Sequence, residues 1–185
     1  GDALLKTLEQ IAIVRRMMSQ YPETFELVST ADDLERIARS GKVASMIGVE
    51  GGYSIEDSLE NLNRYYKLGV RYMTLTHSKN LSWADSATDE EVMGGLSEFG
   101  EEVIREMNKL GMLVDLSHVS AKTMKHALRI TKAPVIFSHS SARALTDHPR
   151  NVPDDVLKLL PENGGIVMVN FYSAYIATTE TLKQN

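Results

Sequence analysis

GMLVDLSHVSAKTMKHALRITKAPVIFSHSS, residues 111–141, decides the fold. Met112 to Leu116 is a short apolar run of strand length, Ser120 to Ile130 has the period of a helix, and Pro134 to Phe137 is a second apolar run. A strand, a helix and a strand in so short a space make a βαβ unit, which implies parallel pairing. The two strands run into His118 (VDLSHVS) and His139 (VIFSHSS).

The alternation continues on both sides. Upstream, Val43 to Val49 reads as a strand buried on both faces. Ser58 to Leu68 reads as a helix stopped by Gly69, Val70 to Thr76 as a strand, and Ser97 to Leu110 as a helix closed by Gly111. Downstream, Pro153 to Leu160 reads as one helix and Ile166 to Phe171 as a strand. Five buried strands, parallel and adjacent in chain order, are expected. Ahead of them, Leu4, Leu5, Leu8, Ile11, Val14 and Met18 form an amphipathic helix ended by Tyr21-Pro22. A second helix is expected from an N-cap at Thr30 through Arg39, with Gly41 as its stop. Ser78 to Leu96 is polar, contains glycine and has no period, so it reads as a functional loop. No linker or short-period repeat divides the chain.

Composition narrows the function classes. The 185 residues carry 20 basic and 25 acidic side chains, a net charge of −5, so the basic footprint of a nucleic-acid binder is missing. No apolar window is long enough to span a membrane. With no cysteine, the chain has no disulfide, thiolate nucleophile or sulfur-ligated zinc. The opening GDALLKTLEQ lacks the basic and apolar regions of a signal peptide, and a cytoplasmic location is expected.

Four strands end in a residue that can ligate a metal or move a proton: Glu50 (IGVEGG), His77 (MTLTHS), His118 and His139. In parallel α/β folds the active site forms at the carboxyl ends of the strands, so these four are expected to meet at one mouth. Two histidines with an oxygen ligand suit a borderline ion such as zinc. Asp115, inside the third strand, reads either as a partner that orients a ligand or as a buried structural carboxylate. Gly51-Gly52 reads either as an ordinary turn or as a close approach of backbone to a ligand. Asp85 reads as part of the polar loop, and His126 and His148 are given no role.

Three long stretches, GVEGGYSIEDSLENLNRYYKLGVRYMTLTHSKNLSWADSATD, GLSEFGEEVIREMNKLGMLVDLSHVS and APVIFSHSSARALTDHPRNVPDDVL, closely resemble the renal (membrane) dipeptidase family, peptidase family M19. The resemblance implies a (β/α)8 barrel of the metal-dependent hydrolase type. It also implies a two-zinc site that cleaves dipeptides with a metal-bridging hydroxide. Position by position, Glu50 resembles the carboxylate that bridges the two ions, and His118 and His139 the ligands of the second. His77 resembles the residue that contacts substrate and stabilises the tetrahedral intermediate. Arg150 matches the arginine that pairs with the free carboxylate of the dipeptide, and Tyr175 a tyrosine that assists there.

The departures from the family carry their own expectation. The His-x-Asp pair of the first zinc is absent, as is a GSDFDG-like stretch with a proton-transfer aspartate, and Tyr53 replaces a histidine after the paired glycines. Five strands stand where a closed barrel needs eight. Residues 1–185 are therefore expected to be a central segment of one catalytic barrel domain. The expected partners are dipeptides, and a homodimer is compatible with the sequence. Two other functions stay open: a catalytically incomplete segment with at most one metal site, and a metal-dependent amidohydrolase acting on cyclic amides.

Overall fold

The computed structural model describes residues 2–177. In chain order the elements are α1 (Ala3–Gln20), β1 (Phe25–Leu27), α2 (Ala31–Arg39), β2 (Val43–Ser45), β3 (Ile47–Glu50), a short 3₁₀ turn (Gly52–Ile55), α3 (Leu59–Lys67), β4 (Val70–Thr74), α4 (Glu98–Leu110), β5 (Leu113–Asp115), α5 (Ala121–Ile130), β6 (Ile136–Ser140), α6 (Asp154–Leu157), α7 (Leu160–Asn163), β7 (Ile166–Val169) and α8 (Ser173–Ile176). Strands β3 to β7 form one sheet in the order β3-β4-β5-β6-β7, with every neighbouring pair parallel. This is the α/β barrel-type arrangement expected, and it is open at β3 and β7 among the described residues. No helix among them is long and apolar enough to cross a membrane.

Alternation along the strands separates two faces. Val49, Met73, Val114 and Phe137 are buried on the side covered by α3, α4 and α5, where Leu62, Tyr65, Val103, Ile104, Met107, Met124 and Ala127 complete the core. Gly48, Tyr72, Thr74, Asp115 and Ser138 alternate with them and lie on the opposite face, the interior of a barrel in this architecture. Packing on the helical face stabilises the sheet, since each fully buried large apolar side chain contributes about 1.5–3 kcal/mol. The opposite face carries the polar groups, with Leu113 and Ile136 beside them.

Three expectations are corrected. Val43 to Val49 is two strands in two sheets: β2 pairs with β1, a strand the periodicity did not reveal, and β3 opens the main sheet. The run is almost unbroken through Met46, so composition does not mark where the chain leaves one sheet for the other. Nor are all five strands buried on both faces. In β3 burial alternates, and in β7 Ile166, Met168 and Val169 are exposed, because an edge strand has a neighbour on one side only. The Pro153–Leu160 helix ends at Leu157, and Leu160 begins a second short helix with Pro161 in its first turn.

Candidate metal centre

Each site residue is delivered by a strand end. Glu50 closes β3, His77 follows β4, and His118 follows β5. His139 lies within β6 rather than after it, where an irregularity between Phe137 and Ser140 breaks the alternation. The Nε2 atoms of His118 and His139 are 2.8 Å apart, and Oε1 of Glu50 lies 3.0 Å from the first and 3.2 Å from the second. Ligands about 2.0–2.1 Å from one tetrahedral ion are separated by about 3.3 Å, so three such atoms fit around a single cation. Two imidazole nitrogens and a carboxylate oxygen facing one point are also the right donor chemistry for a borderline divalent metal.

His77 stands beside this triad. Its ring stacks on His118 with centroids 4.3 Å apart, and its Nε2 is 3.9 Å from Glu50 Oε1. It is half exposed, whereas His118 is buried. Burial, reinforced by the positive charge of Arg150, pushes the His118 pKa down to about 3, so its ring stays neutral and keeps a lone pair at neutral pH.

His118 also adopts a left-handed backbone, with φ of 73°. For a residue other than glycine this is uncommon and needs support. The 78–96 loop supplies it: Ala87 N–H donates to the His118 carbonyl at 2.7 Å, and Ser86 Oγ lies 2.7 Å from the His77 carbonyl and 3.3 Å from that of His118. Asp85 holds that loop from inside, accepting the N–H groups of Val92, Met93 and Gly95. It is thus a buried anchor, and the loop braces the two histidines.

Gly51 and Gly52 allow a close approach of backbone to backbone. Their N–H groups donate to the carbonyls of Thr74 and Leu75, at the end of the neighbouring strand β4. A Cβ at Gly52 would lie 2.5 Å from the Trp83 ring and 2.7 Å from the Leu75 carbonyl oxygen.

Arg150 is buried, with Nη2 3.4 Å from the His139 carbonyl. Its Nε and Nη1 have no hydrogen-bond partner among the described residues. Burial lowers its pKa, while Tyr175, Asp115 and Glu50 act in the opposite direction. Its guanidinium carbon lies 5.4 Å from the centre of the Tyr175 ring, which also packs against His148. His148 Nδ1 accepts the Arg150 N–H, and Asn151 donates to the Tyr175 carbonyl. The structure therefore brings Arg150 and Tyr175 together on supports that sequence reading left unassigned.

Thr74, Ser117 and Ser138 were also missed. The first two hydroxyls and Asp115 lie behind the histidines, and Ser138 contacts His139 directly. A signal existed: serine precedes histidine at both 117–118 and 138–139.

The family model described as membrane dipeptidase (peptidase family M19) matches residues 1–184. Dipeptidase 3 of Mus musculus is 51% identical over 173 residues, covering 91% of this chain and 34% of that protein. Dipeptidase verJ of Clonostachys rogersoniana is 47% identical over 171 residues, 92% of this chain and 44% of that protein. Among solved structures, the probable dipeptidase PvdM from Pseudomonas aeruginosa superposes with a TM-score of 0.87 at 29% identity, covering 94% of this chain and 46% of that one. A metallo peptidase from Rhodobacter sphaeroides, liganded with a phosphinate mimic of the dipeptide L-Ala-D-Ala, gives 0.80 at 27% identity, covering 89% and 48%. The chain thus spans between a third and a half of the length of these relatives.

Proposed function

This chain belongs to the membrane dipeptidase family, peptidase family M19, and from that premise we propose that it forms part of a zinc-dependent enzyme that hydrolyses the peptide bond of dipeptides. The observation that carries the reading is the convergence of Glu50, His118 and His139 on one point, beside a buried arginine with two nitrogens unpartnered among the described residues. Zinc bound there would polarise the scissile carbonyl and supply a nucleophilic water at neutral pH.

The remaining chemistry belongs to side chains of this chain. His118 and His139 offer ring nitrogens and Glu50 a carboxylate oxygen. The family resemblance makes Glu50 a bridge to a second zinc ion. The other ligands of that ion would come from protein beyond the 185 residues, which form one segment of a single barrel in this reading. His77 is half exposed at the rim and can donate to the oxygen of a developing tetrahedral centre, an interaction typically worth about 3–4 kcal/mol. Arg150 is suited to pair with the free carboxylate of a dipeptide, with Tyr175 across its face. That clamp selects for length, because a longer peptide would put uncharged backbone against a buried guanidinium.

The test is a substrate panel applied to the protein expressed from its intact gene. Dipeptides should be cleaved, while tripeptides and cyclic amides should not. Chelation should abolish the activity and added zinc restore it. Hydrolysis of cyclic amides without dipeptide cleavage would overturn the assignment.

A further inference from the structure

We propose that Asp115, acting through Ser138, is a positioning residue that aims the lone pair of His139 Nε2 at the point it shares with Glu50 Oε1 and His118 Nε2, where a cation would sit. The purpose of this device rests on the metal-site reading above, but its geometry does not. Asp115 is fully buried, and four donors surround its carboxylate. Oδ1 accepts the backbone N–H of Ser117 at 3.0 Å and that of Ser138 at 3.0 Å. Oδ2 lies 2.6 Å from both the Thr74 hydroxyl and the Ser138 hydroxyl. An ionised carboxylate only accepts, so with Asp115 ionised both hydroxyls donate to it.

The consequence passes along the chain of hydrogen bonds. Ser138 has one hydroxyl proton, and it is committed to Asp115. Towards His139 Nδ1, 2.7 Å away, Ser138 Oγ can therefore only accept. Nδ1 must carry the ring proton, which leaves Nε2 of a neutral imidazole as the lone-pair atom. Nε2 is the atom that faces His118 and Glu50. In the other tautomer an Nε2–H would sit where a cation must go.

His118 is held differently. Its Nδ1 is buried with no hydrogen-bond partner among the described residues, and backbone support and stacking on His77 place its ring. Of the two histidines, His139 alone has its tautomer set by a side-chain relay. Such outer partners of metal-binding histidines commonly alter metal affinity by about 10–100-fold.

The experiment uses metal-free protein from the intact gene with isotope-labelled histidine, read by long-range proton–nitrogen correlation spectra. His139 should show the Nδ1–H pattern. Ser138→Ala should move it towards Nε2–H and weaken zinc affinity about 10–100-fold in competition with a chromogenic chelator. Ser138→Thr keeps the hydroxyl and should restore both. An Nε2–H form in the unsubstituted protein would overturn the inference, whether or not Ser138→Ala folds. An unchanged tautomer in Ser138→Ala would overturn it as well. A Ser138-dependent Nδ1–H form in a protein that takes up no zinc would uphold the relay and sink the metal-site reading.

Discussion

Arg150 is a costly residue to bury. Its guanidinium has two nitrogens without partners among the described residues, and a buried donor left unsatisfied costs about 1–3 kcal/mol. An anion docking there would recover that penalty, because hydrogen bonds to charged groups contribute about 1.5–3 kcal/mol. Lysine would keep the charge but lose the planar fork that matches a carboxylate. Arg150→Lys should therefore raise KM for dipeptides about 10–100-fold with a smaller effect on kcat, measured by steady-state kinetics on the protein from the intact gene. An unchanged KM would remove Arg150 from substrate binding.

Four helices, α2 to α5, begin where short side chains cap them. Thr30, Ser58, Ser97 and Ser120 each accept an N–H from the third residue of the helix they open. α2 has the fullest arrangement. Thr30 Oγ1 accepts the Asp33 N–H, while the Asp33 carboxylate accepts the N–H groups of Ser29 and Thr30. Thr30→Ala should cost about 1 kcal/mol, read as a lower urea midpoint at unchanged slope. The Asp33 half has a pH signature. A hydrogen bond from Arg36, and then one from Thr30, hold its carboxyl below the ordinary value. Its capping contribution is therefore present at neutral pH and is lost as acid titrates the carboxyl through that lowered value.

At the scale of the molecule, the polar face of the sheet and its two edges govern behaviour. Glu50 is half exposed, and β7 presents Ile166, Met168 and Val169 to solvent, followed by Phe171, which is 90% exposed. An apolar edge strand invites pairing with another chain. Residues 1–185 expressed alone should aggregate or self-pair, bind fewer than two zinc ions per chain, and show little dipeptide turnover. Supplying the further length found in the relatives, in one chain or by co-expression, should restore both binding and activity. Turnover near 10 s⁻¹, ordinary for an enzyme, from the isolated 185 residues would refute this.

Order and type of the main-sheet strands and of the helices up to α5 were legible in the sequence because they depend on neighbours. Helical period, the cap at Thr30 and the Gly111 stop act within a turn or two of chain. The histidines could be placed at one mouth because parallel strands put equivalent ends on the same side. What only the tertiary structure decided depends on residues far apart along the chain. The break at Met46 turns on whether β1 or β4 is the pairing partner, and both offer the same backbone groups. Asp115 takes its meaning from Thr74 and Ser138, which are 41 and 23 residues away. The burial of Arg150, the bracing of His118 by Ala87 and the packing of Gly52 on Trp83 are likewise contacts between segments. Hydrophobic pattern carries no record of such contacts, because a hydroxyl or a carboxylate has the same polarity whichever partner the fold brings to it.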